Sequence, residues 1–178
     1  MNQTPTTDDQ RPMMKTYPLA SRKARYCFGI DPDLIKNGVA IWDTSLRRII
    51  DSRTLTFART LQHIQSYPKD EVLVYVEAGW LNKTKNFHAV HLPDRLRKAD
   101  PSAQVRYVSA VRERIAHDVG QNAAAGKLLI EMLTELGYAV VTIQPTARKW
   151  KPEDYKKFTG LDCKNQERID AARLVVGL

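Results

Sequence analysis

Apolar positions along this 178-residue chain follow two rhythms, and the switches between them mark out its elements. Residues 26–30, Tyr-Cys-Phe-Gly-Ile, form a short apolar and aromatic run of the kind that builds a buried strand. Pro32, Asn37 and Gly38 are turn formers, and residues 39–42 resume as a second strand, so residues 25–43 read as a hairpin. Residues 47–56, rich in Ile, Leu and Thr, supply a third antiparallel strand. Val72–Glu77 opens with consecutive β-formers, the pattern of a strand buried on both faces in a parallel sheet, and residues 138–143 repeat it. Elsewhere the rhythm lengthens to three or four residues. It predicts a helix over residues 57–67, with Phe57, Leu61 and Ile64 on one face. A longer helix is expected over residues 118–136, where Ala125, Leu128, Leu129, Met132, Leu133 and Leu136 share a stripe that Gly137 closes. Its first turns, residues 120–126, are small or amide-bearing and allow another element to approach closely. The last helix spans residues 165–176, with Ile169, Ala172 and Val176 packing. The expected fold class is α/β: a mixed sheet, three antiparallel strands then parallel ones, flanked by helices.

Three stretches lack either rhythm. Residues 1–21 are rich in Thr, Asp, Gln and Pro and read as a disordered lead-in to a single domain over residues 22–178. Residues 80–117 form a polar, basic insertion in which Lys83, Lys85, His88, His91, Arg95, Arg97, Lys98, Arg106, Arg112 and Arg114 are interleaved with Trp80, Phe87 and Tyr107. Cations with aromatics suit a segment that tracks nucleic acid, charge for phosphates and rings for bases; a solvated, partly helical insertion or a subunit contact is the alternative. Residues 146–164 are a second basic stretch, carrying Arg148, Lys149, Lys151, Lys156, Lys157 and Lys164 around a short helix that Gly160 stops. The net charge of +8 also favours a polyanionic partner. Cys27 and Cys163 have no metal-ligand spacing and read as free thiols of a reducing compartment, and His88 and His91 read as surface histidines. With no run of transmembrane length and no signal-peptide pattern, the expectation is a soluble, cytoplasmic protein.

Candidate chemistry lies in four acids. Asp31 ends the first strand and Glu77 the fourth, placing carboxylates at the sheet edge where open α/β sheets hold ligands. Glu167 and Asp170 stand one turn apart on the final helix. Each has a plain structural reading: Asp31 as a turn cap, the helical pair as solvated acids with Arg173 partnering Asp170. Brought together, the four would repel unless a cation or protons joined them. Oxygen ligands without Cys or His select Mg²⁺ or Mn²⁺, and two such ions can drive phosphodiester hydrolysis.

The stretches FGIDPDLIKNGVAIWD, VLVYVEAGW, VGQNAAAGKLLIEMLTELGYAVVTIQPTARKWK, FTG and QERIDAARLVV, together most of the chain from Tyr26 onward, resemble the RuvC-type Holliday-junction resolvases of the RNase H-like superfamily. The resemblance implies that Asp31, Glu77 and Asp170 are metal ligands and that Glu167 occupies a position where that family has Asp or His. It sets Lys151 and Lys164 near basic residues that face the scissile phosphate. The chain departs from the pattern in its longer segment 80–117 and its shorter stretch between Gly160 and the final acids. The implied activity is a Mg²⁺-dependent endonuclease of DNA recombination and repair, a bacterial or phage homodimer acting on four-way or other branched DNA. Lys83, Lys85, Arg112, Arg114, Arg148 and Lys149 are the expected DNA contacts. The alternatives are an RNase H-like nuclease on flap DNA or RNA–DNA hybrid, and a non-catalytic DNA-binding module of the same fold. An actin-like ATPase shares the spacing from Asp31 to Gly38 but needs a second phosphate-binding half, which one short domain lacks.

Overall fold

A computed structural model describes residues 24–82, 90–146 and 149–178. Strand β1 (Tyr26–Asp31) pairs antiparallel with β2 (Asn37–Asp43), and β2 pairs antiparallel with β3 (Arg48–Leu55). On its other side β1 runs parallel to β4 (Val72–Glu77), which runs parallel to β5 (Ala139–Ile143). The sheet order is β3-β2-β1-β4-β5, the mixed arrangement expected from the sequence. Helix α1 (Phe57–Gln65) follows β3, a short α2 (Asp94–Arg97) precedes the long α3 (Pro101–Glu135), and α4 (Pro152–Thr159) and α5 (Gln166–Arg173) close the chain.

Alternation along the strands sorts the core into two layers. Phe28, Ile30, Val39, Ile41, Val74 and Val76 pack with Ile64 of α1 and with Leu129, Ile130 and Leu133 of α3. Cys27, Ala40 and Trp42 face the other way, onto Tyr155 of α4 and Ile169, Ala171, Ala172 and Val175 in and after α5. Asp31 shares the parity of Cys27, and Glu77 that of Tyr75, so both strand-end acids belong to the α5 face. The parallel register pairs Ile30 with Val76, which makes Asp31 and Glu77 the next neighbours across the two strands.

The long helix differs from the expectation. It begins at Pro101, not at residue 118, with Asp100 as its N-cap accepting from the backbone N–H groups of Ser102 and Ala103. At 35 residues it is about 52 Å long, yet its buried positions, Gly126, Leu129, Ile130 and Leu133, all lie in its C-terminal third. The N-terminal half mixes good helix formers (Ala, Arg, Gln and Glu) with Val, Ser and Tyr, and its charged residues dilute the apolar stripe, so its helical signal is weak. Arg106, Arg112 and Arg114 therefore project, exposed, from a helix, so residues 80–117 are helical in part. Gly137 and Gly160 end α3 and α4 in the left-handed conformation, as the sequence indicates.

Candidate active site

Two glycines decide how close α5 comes to the sheet. A Cβ added at Gly29 would lie 2.0 Å from the Ala171 carbonyl oxygen, and one at Gly38 would lie 2.1 Å from that of Glu167. Any side chain at either place would push the helix away, so the backbones of β1, β2 and α5 meet almost directly. The same contact carries Asp170, 1% exposed, to the end of β1 where Asp31 stands. Glu167, one turn earlier and half-buried, sits above Gly38.

The loop after Asp31 is held firmly. The Asp33 N–H donates to Asn37 Oδ1, and Asp33 Oδ1 accepts from the N–H groups of Ile35 and Lys36. Asn122 of α3 donates to Asp33 Oδ2 and accepts from the Leu34 N–H, while Asn37 donates to Thr60 of α1. Small residues in α3 serve the close approach anticipated for them: a Cβ at Gly126 would meet the Trp80 ring at 2.7 Å and Pro32 at 3.1 Å. Trp80 is thus packed against α3, with Lys127 over its ring. A cleft of about 270 Å³ opens here, lined by Asp31, Glu77, Trp80, Asn122, Pro145 and Lys149.

The acids perturb one another strongly. The Asp31 carboxyl is pushed up to about 8, first by burial, then by the charges of Glu77 and Asp170 and more weakly of Glu167, with Lys149 acting in the opposite sense. Glu77 is also raised, by burial above all and by the charge of Asp170, with Arg173 opposing. Buried side by side, the strand-end carboxyls repel one another when both are charged, which favours a proton or a cation among them.

Among the described residues, two cations are engaged with the acids. Lys149 Nζ lies 2.8 Å from Asp170 Oδ2, and Gln166 Nε2 donates to Asp170 Oδ1 at 2.8 Å. Burial works against the Lys149 charge, but Asp170, Asp31 and Glu77 outweigh it and hold the ammonium above its usual range. Arg173 pairs with Glu77, not with Asp170 as its position three residues on had suggested, at 2.5 Å between Nη2 and Oε1; its Nη1 donates to Thr146 Oγ1. Among the described residues no three His, Cys, Asp or Glu side chains stand ready as they are to enclose an ion. Asp31, Glu77 and Asp170, with Glu167 beside them at the half-buried edge, are nevertheless oxygen donors of the kind that could take a hard divalent cation.

Of the other candidates, Lys151 and Lys164 are exposed, Lys151 at the N-cap of α4 and Lys164 in the loop before α5. His91 is exposed. Lys83, Lys85, Arg148 and His88 lie outside the described residues. Sequence reasoning missed Gln166 and Arg173 as members of the site and assigned Lys149 to DNA alone. It also passed over a stacked pair, Trp150 and Phe158, with ring centroids 4.8 Å apart and Lys157 near the outer ring. Gln166 binds the Trp150 carbonyl as well as Asp170, tying that aromatic step to the acids.

The strand order, the parity of the strand-end acids and the final helix crossing them define an RNase H-like α/β fold of the RuvC kind. No family model matches the sequence, and no curated protein is similar to it. Among solved structures, T. thermophilus RuvC in complex with a Holliday junction substrate is similar with a TM-score of 0.51 at 15% identity, over 85% of this chain and 91% of that one. A second Thermus thermophilus RuvC structure gives a TM-score of 0.46 at 14% identity, with the same coverage. The chain has a RuvC-like fold. Among the described residues, no helix is long and apolar enough to cross a membrane.

Proposed function

We propose that the protein is a divalent-cation-dependent endonuclease that hydrolyses phosphodiester bonds in four-way or otherwise branched DNA. The observation that carries this reading is the gathering of Asp31, Glu77, Asp170 and Glu167 at one edge of a RuvC-like sheet. T. thermophilus RuvC, whose fold it has, was solved with a Holliday junction, which supports branched DNA as the substrate.

Asp31, Glu77, Glu167 and Asp170 would hold Mg²⁺ or Mn²⁺. Such an ion, when bound, lowers the pKa of a water and offsets charge on the phosphate under attack. The chain's own residues do the rest. Gly29 and Gly38 set the spacing between helical and strand acids, Gln166 fixes the orientation of the Asp170 carboxylate, and the Asn122–Asp33 contacts keep the loop after Asp31 rigid. Lys151 and Lys164, by resemblance, bring positive charge to the scissile phosphate. Arg112 and Arg114 on α3, together with Lys83, Lys85 and Arg148, contact phosphates along the DNA arms. The working form is a homodimer, since a two-fold assembly suits a substrate that needs paired cuts, and its setting is the cytoplasm of a bacterial or phage-infected cell.

The test is cleavage of a synthetic four-way junction beside flap DNA, RNA–DNA hybrid and linear duplex, with and without Mg²⁺. The junction should be cut only with the ion present. Asp170→Asn should cut at least about a thousandfold more slowly while keeping its circular dichroism spectrum and its affinity for the junction. Preference for flap or hybrid would assign it to another RNase H-like activity. Tight binding with no nicking under any divalent ion would make it a non-catalytic DNA-binding module.

A further inference from the structure

The two cations among the acids differ in how readily an incoming ion could displace them. The Lys149 side chain is 62% exposed, stands on the loop between β5 and α4, and reaches Asp170 through one flexible ammonium. Released from Asp170, it would pass directly into water at little cost. The Arg173 side chain is 12% exposed and its partner Glu77 11%. Its guanidinium is fixed at both ends, Nη2 on Glu77 and Nη1 on Thr146, and it is rooted in the last turn of α5. Moving it would leave a charge that cannot be titrated away without its partners in a nearly dry place.

One Glu77 oxygen is therefore committed to Arg173. Positive charge already sits on the Glu77 side of the cluster. We propose that the site takes one divalent cation, drawn by Asp31, Asp170, Glu167 and the remaining Glu77 oxygen, that this ion displaces Lys149, and that Arg173 remains as the permanent positive charge in place of a second ion. This rests on the acids binding a divalent cation, as proposed above, but not on the identity of the nucleic acid. Arg173 is then a positioning residue, fixing one oxygen of Glu77 and setting how many ions the acids accept.

The experiment counts ions in the absence of DNA. Titration of the full chain with Mn²⁺, followed by calorimetry and by the electron paramagnetic resonance of free Mn²⁺, should give one ion per wild-type chain. Arg173→Gln, which keeps much of the shape but loses the charge, should bind two; Arg173→Lys should return the count to one. Lys149→Met should still bind one ion, about two- to fivefold more tightly, the size of a half-exposed ion pair removed from competition. Two ions on the wild-type chain would overturn the proposal while leaving the acids as metal ligands, and so would a count of one for a folded Arg173→Gln. No bound ion at all would instead remove the cation role of the acids and the nuclease reading with it. Should Arg173→Gln fail to fold, Arg173→Met, which keeps the apolar stem and removes the charge, takes its place in the count, with two ions expected and one overturning the proposal.

Discussion

The two faces of the sheet are packed by opposite means. Toward α1 and α3 the side chains are large: Phe28, Ile30, Ile41, Val74 and Val76 against Ile64, Leu129 and Leu133. Toward α5 the central contact is made by Gly29, Gly38, Ala40, Ala171 and Ala172. Large side chains bury more apolar area and hold a helix at the ordinary distance from a sheet. Small ones give up that area and let backbones touch. The acids belong to the close face, and the reason is geometric: an Asp on a helix reaches an Asp on a strand only if nothing thicker than a Cα hydrogen separates the two elements. One face secures the fold and the other sets the spacing of the site.

Separating those two roles is the most forceful way to break this comparison. Gly29→Ala places a methyl carbon 2.0 Å from the Ala171 carbonyl, so α5 must shift, at a cost of about 1–3 kcal/mol in stability. A displacement of about an ångström between catalytic groups lowers rate by about a hundredfold, so cleavage per folded molecule should fall by at least that much. Leu129→Ala, in the opposite layer, should destabilise more, by about 2–5 kcal/mol, and leave cleavage per folded molecule unchanged. Denaturant melts and single-turnover cleavage on both variants measure the two effects. If Leu129→Ala loses cleavage while Gly29→Ala keeps it, the division between the faces is wrong.

A smaller effect should appear in stability against pH without any divalent ion. Asp31, raised to about 8 in the folded protein, binds a proton that the unfolded chain has already lost above about pH 4, and Glu77 is raised in the same sense. Between those values the folded state carries more protons than the unfolded one, so stability falls as pH rises from 5 to 8 and levels off beyond. Asp43 and Lys149 do not disturb that window. Burial pushes the Asp43 carboxyl up, but the Leu46 and Ser45 N–H groups and Arg25 outweigh it and hold the carboxyl below its usual range, so its contribution is lost only at more acid pH. The raised Lys149 loses its contribution only as pH climbs through a value above the ordinary lysine range. Melting temperatures in EDTA should therefore drop across pH 5–8. Asp31→Asn should remove most of that slope, and millimolar Mg²⁺ should reduce it in the wild type. A flat wild-type profile would mean that the strand-end acids are solvated, not crowded.

How far each face could be read from the chain follows from what each is made of. The strands of both layers were legible because runs such as Val72–Glu77 are apolar and end abruptly in an acid, and that same ending located Asp31 and Glu77. The stripe Leu129, Leu133 and Leu136 located α3 but not its true start, because Arg112, Glu113 and Arg114 interrupt the apolar rhythm that continues back toward Pro101. On the close face the small residues carry no periodic signal beyond their size. Gly29 and Gly38 read as strand and turn residues until α5 is laid across them. Arg173 could be placed on the helix with Asp170, but its choice of Glu77 depends on which strand lies beneath the last turn of α5. Lys149 reaches Asp170 only through the path of the loop after Pro145, which composition does not specify.

The finest test of the close face concerns Glu167, whose backbone carbonyl marks the contact with Gly38 while its side chain lies only half-buried. Its partial exposure sets it at the margin of the cluster, whereas Asp170 is 1% exposed and held by Gln166 and Lys149. A peripheral ligand should be dispensable to an ion that tolerates an imperfect shell. Mg²⁺ demands near-ideal octahedral geometry and gives up water reluctantly, while Mn²⁺ accepts the same oxygen donors with less exacting geometry. Glu167→Gln should therefore cut more slowly than wild type in Mg²⁺ and recover in Mn²⁺, whereas Asp170→Asn should stay inactive with either ion. Rates of junction cleavage for both variants across a series of Mg²⁺ and Mn²⁺ concentrations measure this. Full activity of Glu167→Gln in Mg²⁺ would place that carboxylate on the surface and leave a centre of three acids. Inactivity in both ions would make it the equal of Asp170, and the close face would then present all four acids to the ion on the same terms.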